Sequence, residues 1–264
     1  MTVSSAAVLP AASPLREFAT SYARSRVAVA ALIVLLLILA VAICAPLISP
    51  QNPYDLAQLD IMDSKLAPGS KSSMGWTFLL GTDDQGRDML SAIFHGLRIS
   101  LGVGVLSTVV ALAIGIVAGL IAAYVGGWTD AIIMRVVDLQ LSFPAILIAL
   151  ILLAILGQGV DKIVVALITV QWAYYARTVR GAALVEKRKE YVDAAVCLGF
   201  SSTRIVLRHI LPNVLPPLIV VATVQVAHAI ALEATLSFLG LGMPITSPST
   251  SPDCMAIAIL AVPA

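Results

Sequence analysis

Charge is what this sequence has least of. Asp, Glu, Lys and Arg make up only 12% of its 264 residues, about half the share of an ordinary soluble domain. A soluble domain clothes its surface in such residues, so their scarcity excludes a soluble globular enzyme. It excludes a disordered chain and a collagen-like fibre as well, because 59% of the residues are hydrophobic and the mean hydropathy is +0.99. Cysteine is nearly absent. Cys44, Cys197 and Cys254 are odd in number and far apart, so they form neither a disulfide framework nor a metal site. His95, His209 and His228 are too scattered to suggest a metal centre, and His-Glu-x-x-His does not occur. No Gly-x-x-x-x-Gly-Lys-Ser/Thr phosphate loop occurs either. The net charge of +1 gives no overall field for nucleic acid.

What is present is a series of long apolar runs. A membrane β-barrel needs alternating segments of roughly ten residues, whereas these runs are unbroken. They predict an all-α polytopic membrane protein. Residues 1–26 read as a cytoplasmic N-terminal tail carrying Arg16, Arg24 and Arg26. Residues 27–48 hold no charge and read as a first transmembrane helix, since about 20 apolar residues span the hydrocarbon. The run is too long for the apolar region of a secretory signal. Residues 49–96 are the longest polar stretch and read as extracytoplasmic. A second span is expected at 97–124, with Gly115-x-x-x-Gly119 allowing close helix approach. A third is expected at 131–156, kinked at Pro144, a fourth at 163–176 and a fifth at 215–232. The last apolar stretch, 255–264, is too short to cross.

Lys and Arg set the orientation. With the N-terminus inside, eleven basic residues fall on cytoplasmic segments: Arg16, Arg24, Arg26, Arg135, Arg177, Arg180, Lys187, Arg188, Lys189, Arg204 and Arg208. Five fall outside: Lys65, Lys71, Arg87, Arg98 and Lys162. The polar stretch 177–211 decides the matter and is expected in the cytoplasm. Within it, Tyr191, Ala194, Ala195 and Leu198 recur at helical spacing, and Gly199 stands where a left-handed cap belongs. Ser201, Ser202 or Thr203 caps a second helix, which Pro212 is expected to interrupt. A helix–glycine turn–helix of this kind is either an inert connector or a docking element. The small Ala194 and Ala195 let a partner's backbone approach, with Tyr191 and Leu198 as flanking anchors.

Tyr191-Val192-Asp193-Ala194-Ala195-x-x-x-Gly199, continuing to Arg208-His209-Ile210-Leu211-Pro212-Asn213, resembles the EAA loop of ABC importer permeases. Asp193 replaces the usual Glu, and Ile210 directly precedes Leu211-Pro212. Further segments resemble the dipeptide/oligopeptide/nickel group, in the order of its C-type subunit. These are Leu80-Gly81-Thr82-Asp83-x-x-Gly86-Arg87-Asp88, Gly127-Trp128-x-Asp130, Asp138-x-x-Leu141-Ser142-Phe143-Pro144, Tyr175-Ala176-Arg177-x-Val179-Arg180 and Leu236-Ser237-Phe238-Leu239-Gly240-Leu241-Gly242.

The resemblance implies a type I permease bundle in the cell membrane that carries peptides. A second homologous permease would complete the path. Two ATPase subunits would bind ATP and magnesium, so this chain would need no cofactor and catalyse no reaction. An extracytoplasmic solute-binding protein would deliver the cargo. Residues 97–242 would form the permease core, with a coupling loop at 186–212. Glu190, Tyr191, Asp193, Ala194, Ala195, Leu198, Gly199 and Arg204 would make the ATPase contact. Relatives carry a sixth span, which is expected to be missing or altered here, because the motifs stop near Gly242 and 243–264 reads as a divergent tail. The competing readings are a secondary transporter or channel, for which internal repeats would be expected, and a permease for nickel or another small solute.

Three polar residues in or beside apolar runs are candidates for the solute pathway, since such groups are costly in a membrane. Asp138 lines the path or pairs with Arg135. Glu233 lines the path, and His228 lines it or packs through a hydrogen bond. The Asp-rich segment 81–88 reads as turn structure rather than a cation site. Arg177 and Arg180 share a helix face that anchors at headgroups or meets the ATPase.

Overall fold

A computed structural model describes residues 22–55, 59–72 and 75–241. The first element, α1 (Arg26–Ile48), starts behind Ser25, whose hydroxyl accepts the Ala28 amide at 3.3 Å. Only Ala42 and Ala45 of α1 are buried. The other apolar side chains face outward, as expected of a helix solvated by lipid.

The polar stretch that follows folds on itself. A short antiparallel ribbon pairs β1 (Ser70–Lys71) with β2 (Thr77–Phe78), in register Ser70 to Phe78 and Lys71 to Thr77. Its acids are engaged by local groups. Asp83 Oδ1 accepts the amides of Gln85 and Arg87 at 2.8 and 2.9 Å, and Asp63 accepts the Ser72 hydroxyl at 2.6 Å. This matches the turn-forming reading of 81–88.

Next comes α2 (Met89–Val125). It begins at Met89 rather than near residue 97, because Asp88 caps it. The Asp88 carboxylate accepts the Ser91 amide at 2.9 Å and the Ser91 hydroxyl at 2.5 Å. Its 37 residues reach about 55 Å at 1.5 Å per residue, well beyond the roughly 30 Å hydrocarbon core. The helix therefore projects from the membrane.

α3 (Gly127–Leu141) and α4 (Ala145–Leu156) are set at 90° to each other. The bend is sharper than a kink. Pro144 has no amide hydrogen and disfavours helical geometry at the residue before it, so the chain restarts rather than continues. α5 (Val160–Lys187) runs three turns past the end expected at residue 176. It packs along α2 where Gly115 and Gly119 leave room. A Cβ on Gly115 would collide with Tyr175 Cβ, and one on Gly119 would lie 2.6 Å from the Ala176 carbonyl oxygen. Glycine is required at both points by this close approach.

After α6 (Glu190–Cys197), a single rod runs from Ser202 to Gly240. It comprises α7 (Ser202–Ile205), a π-helical turn (Val206–Ile210), α8 (Leu211–Leu236) and a terminal turn. The expectation that Pro212 interrupts this helix is corrected. The preceding turn widens to i→i+5, with the Leu211 amide bonding to the Val206 carbonyl. The extra residue absorbs the proline's missing donor and ring.

Three of the described helices are long and apolar enough to span a membrane, or four if α3 and α4 count as one broken span. α5, with 28 residues, is long enough but falls short in hydropathy because Gln171, Trp172, Tyr174, Tyr175 and Arg177 dilute it. These polar groups are tolerated where α5 is central. Tyr175, Ala173, Ala176 and Val179 are fully buried. Two apolar clusters meet along α5, one with α2, α6 and α8, the other with α4 and the far end of α8. Residues 243–264, and with them the question of a sixth span, lie outside the described residues, as does most of the 1–26 tail.

Candidate functional site

The 186–212 segment forms a compact elbow between α5 and α8. Its turn obeys the pattern expected of Gly199. That residue has φ +74, its amide bonds to the Val196 carbonyl at 2.9 Å, and the Phe200 amide bonds to the Ala195 carbonyl at 3.2 Å. These two bonds close a Schellman motif, which needs a left-handed residue at that point. The amphipathic face of α6 follows from its sequence. Val192 and Ala195 are buried against Ile205, Ile210 and Val214, while Glu190, Asp193 and Ala194 are exposed. Ala194 and Ala195 thus have different surroundings. Only Ala194 is open to a partner, and Ala195 fastens α6 to the rod. Leu198 is 72% exposed, at the tip of the elbow. Glu190 and Asp193 lie in the first turn of α6, where the helix dipole favours negative charge.

Tyr191 is a node rather than a free anchor. Its hydroxyl donates to Glu186 Oε2 at 2.6 Å and accepts from Asn213 Nδ2 at 3.1 Å. One oxygen therefore ties the end of α5, the start of α6 and the start of α8. Lys189 Nζ donates to the other Glu186 oxygen at 2.6 Å. The Lys189 ammonium, and after it the Tyr191 hydroxyl, hold the Glu186 carboxyl below its usual value. Burial first, then the Glu186 carboxylate, pushes the Tyr191 hydroxyl up. Arg204 does not reach for a carboxylate. Its guanidinium lies 5.4 Å from the Phe200 ring, which stacks on His209 at 6.1 Å. Lys187 Nζ donates to the Tyr124 carbonyl at 2.8 Å and the Ala123 carbonyl at 3.3 Å, the free acceptors at the end of α2.

Sequence reasoning missed Glu186, Lys187, Phe200, His209 and Asn213. Glu186 carried a faint signal, standing three residues before Lys189 on one helical turn. Asn213 carried none, since its partner lies 22 residues away.

The pathway candidates separate. Asp138 pairs with Arg177, not Arg135, and both side chains are more than half exposed. Arg180 holds Asp130 through two bonds of 2.5 and 2.6 Å. The arginine face of α5 is thus engaged by the two acids of α3. His228 is exposed on the outer face of α8. Glu233 is 6% exposed and lines a cavity of about 410 Å³ among the ends of α2, α5 and α8.

Comparison with known proteins places this architecture. The family described as binding-protein-dependent transport system inner membrane component matches residues 115–264. That match continues past Gly242, where the motif resemblance ends. A second family, the N-terminal TM domain of oligopeptide transport permease C, matches residues 13–68. The chain is 39% identical over 237 residues to a di/tripeptide transport system permease protein, DppC, of Pseudomonas aeruginosa, covering 89% of this chain and 77% of the relative. It is 39% identical over 230 residues to a glutathione transport system permease protein, GsiD, of Pectobacterium atrosepticum, covering 87% and 74%. It is 37% identical over 220 residues to an oligopeptide transport system permease protein, OppC, of Bacillus subtilis, covering 83% and 69%. With two family matches across most of its length and apolar spanning helices around a glycine-hinged elbow, the chain belongs to the inner membrane components of binding-protein-dependent transport systems, as a C-type permease subunit of the dipeptide/oligopeptide ABC group.

Proposed function

We propose that this chain forms half of the translocation path for di- and oligopeptides, beside a second homologous permease, and that the 186–212 elbow couples it to ATP hydrolysis in two partner ATPase subunits. The N-terminus and the elbow lie in the cytoplasm, and an extracytoplasmic binding protein delivers the peptide to the opposite face. Magnesium and ATP belong to the partner subunits, and this chain works without a cofactor. Glu190, Asp193, Ala194 and Leu198 present the contact surface. Ala195, Gly199 and Arg204 shape it, and Tyr191 fastens it to the bundle.

The observation that carries this reading is the unbroken rod from Ser202 to Gly240, tied at its base by Tyr191, Glu186 and Asn213. The rod is helical from α7 through the π-turn at Val206–Ile210 and past Pro216 and Pro217 to Glu233 at the far end. Such a lever is what a rocking or hinge transition requires. Names of relatives support peptides as the cargo class.

The test is reconstitution of the four-subunit assembly with its binding protein in proteoliposomes. ATP-driven uptake of a dipeptide is expected. Leu198→Arg is expected to lower uptake and the recovery of ATPase subunits together, with membrane insertion unchanged. Uptake that survives removal of the ATPase subunits would refute the coupling.

A further inference from the structure

At the end of the bundle remote from the elbow, the 410 Å³ cavity falls in the size range of small-molecule sites. Ile99, Val160 and Ile163 give it apolar walls from α2 and α5. Two opposite charges line it, brought from different parts of the chain. Glu233 comes from α8, and Arg87 comes from the polar segment that precedes α2.

Glu233 is held in an unusual way. Ser100 Oγ donates to Oε2 at 2.6 Å, and Ser237 Oγ donates to Oε1 at 2.8 Å. Two neutral hydroxyls fix the carboxylate's direction without cancelling its charge. A carboxylate offers about four lone-pair sites, so the serines leave it able to accept from a further donor. Among the described residues no cation lies within ion-pair distance of it. Glu233 thus offers an incoming ammonium a carboxylate already oriented by two hydrogen bonds. Arg87 carries a guanidinium, a group with five donors that suits a carboxylate; its Nη2 donates to Gln85 Oε1 at 2.6 Å, and it makes a further contact elsewhere in the protein. Tyr54 reports on both. Burial raises its hydroxyl above the ordinary tyrosine value, Arg87 pulls it down and Glu233 pushes it up. Both charges therefore act on the same space.

We propose that this cavity is a subsite for the charged ends of a short peptide, with Glu233 receiving the α-ammonium and Arg87 the α-carboxylate. Ser100 and Ser237 position Glu233, and the apolar walls accept side chains without selecting among them. The inference rests on the peptide-permease reading and adds to it a residue-level site within the permease itself.

The experiment uses the assembled transporter in nanodiscs without its binding protein, so that any selection comes from the membrane subunits. Cys44, Cys197 and Cys254 are replaced by serine, and Ala234→Cys places a thiol at the cavity wall for maleimide labelling. Dialanine with free ends is expected to protect that thiol. N-acetyl-dialanine and dialanine amide are expected to need at least tenfold higher concentration. Glu233→Gln should erase the difference between dialanine and its N-acetyl form, and Arg87→Gln the difference from the amide. Ser100→Ala, which keeps the carboxylate, should give a smaller loss. Equal protection by all three probes, or discrimination that persists in Glu233→Gln, overturns the subsite. Protection by a metal ion but not by dialanine overturns it too. Uptake of dialanine by the complete transporter is measured alongside. Uptake without selective protection refutes the subsite alone, whereas absence of uptake strikes the peptide reading itself.

Discussion

Replacing Gly199 isolates the energetics of the elbow from its contacts. Its φ of +74 lies in the left-handed region, and a Cβ built there meets nothing within 4 Å. The penalty for a side chain is therefore conformational rather than steric. For an L-residue it is about 1–2 kcal/mol, less for asparagine, which visits this region readily. That energy corresponds to a factor of roughly 5–30 in the population of the closed turn. Gly199→Val should raise hydrogen exchange at the Gly199 and Phe200 amides by about that factor, because those amides close the turn on Val196 and Ala195. Gly199→Asn should change it much less. ATP-driven uptake in proteoliposomes should fall in the same order, valine below asparagine. Equal losses for the two variants, or faster exchange with unchanged uptake, would refute the view that turn geometry shapes the coupling surface.

Other consequences are open to direct measurement. Gly115→Ala should lower the thermal midpoint of the detergent-solubilised protein, since overpacking costs about 1–3 kcal/mol and the added Cβ meets Tyr175. Gly102→Ala, where nothing lies within 4 Å, should leave it unchanged or raise it. A double-mutant cycle on Asp130 and Arg180 should give a coupling of about 1 kcal/mol, at the upper end for partly exposed pairs because two hydrogen bonds join them. The elbow should also loosen in acid. The Glu186 carboxyl is held below its usual value, so its contribution is complete above the ordinary carboxylate range and is lost as pH falls through the lower folded value. Tyr191→Phe removes one donor to Glu186 and should move the loss of amide protection in 190–200 to higher pH. Unchanged acid behaviour would show that Tyr191 does not govern the elbow.

The sequence alone was enough for elements whose cause is local. Unbroken apolar runs call for lipid-facing helices wherever they stand, so α1 and the cores of α2 and α8 were legible. So was the turn at Gly199, because the side-chain-free residue and the helical spacing before it are both neighbours in the chain. Pro144 announced a break, though not its 90° angle, which depends on what α3 and α4 pack against. Pro212 misled for a similar reason. A proline reads as a stop, and only the π-turn at Val206–Ile210 shows how the rod passes through it.

Composition and period thus determined that this is a helical membrane protein with a hinged polar loop, because burial of apolar surface and backbone satisfaction act at every point of the chain. Tertiary structure decided which polar groups do what. Tyr191 meets Glu186 and Asn213, Asp138 meets Arg177, and Glu233 meets Ser100 across 133 positions of sequence. Such pairings carry no periodic signal. Their partners are chosen by how α2, α5 and α8 cross, with α2 closest to α5 at Gly115 and Gly119 and to α8 at Gly104, which faces Ile230.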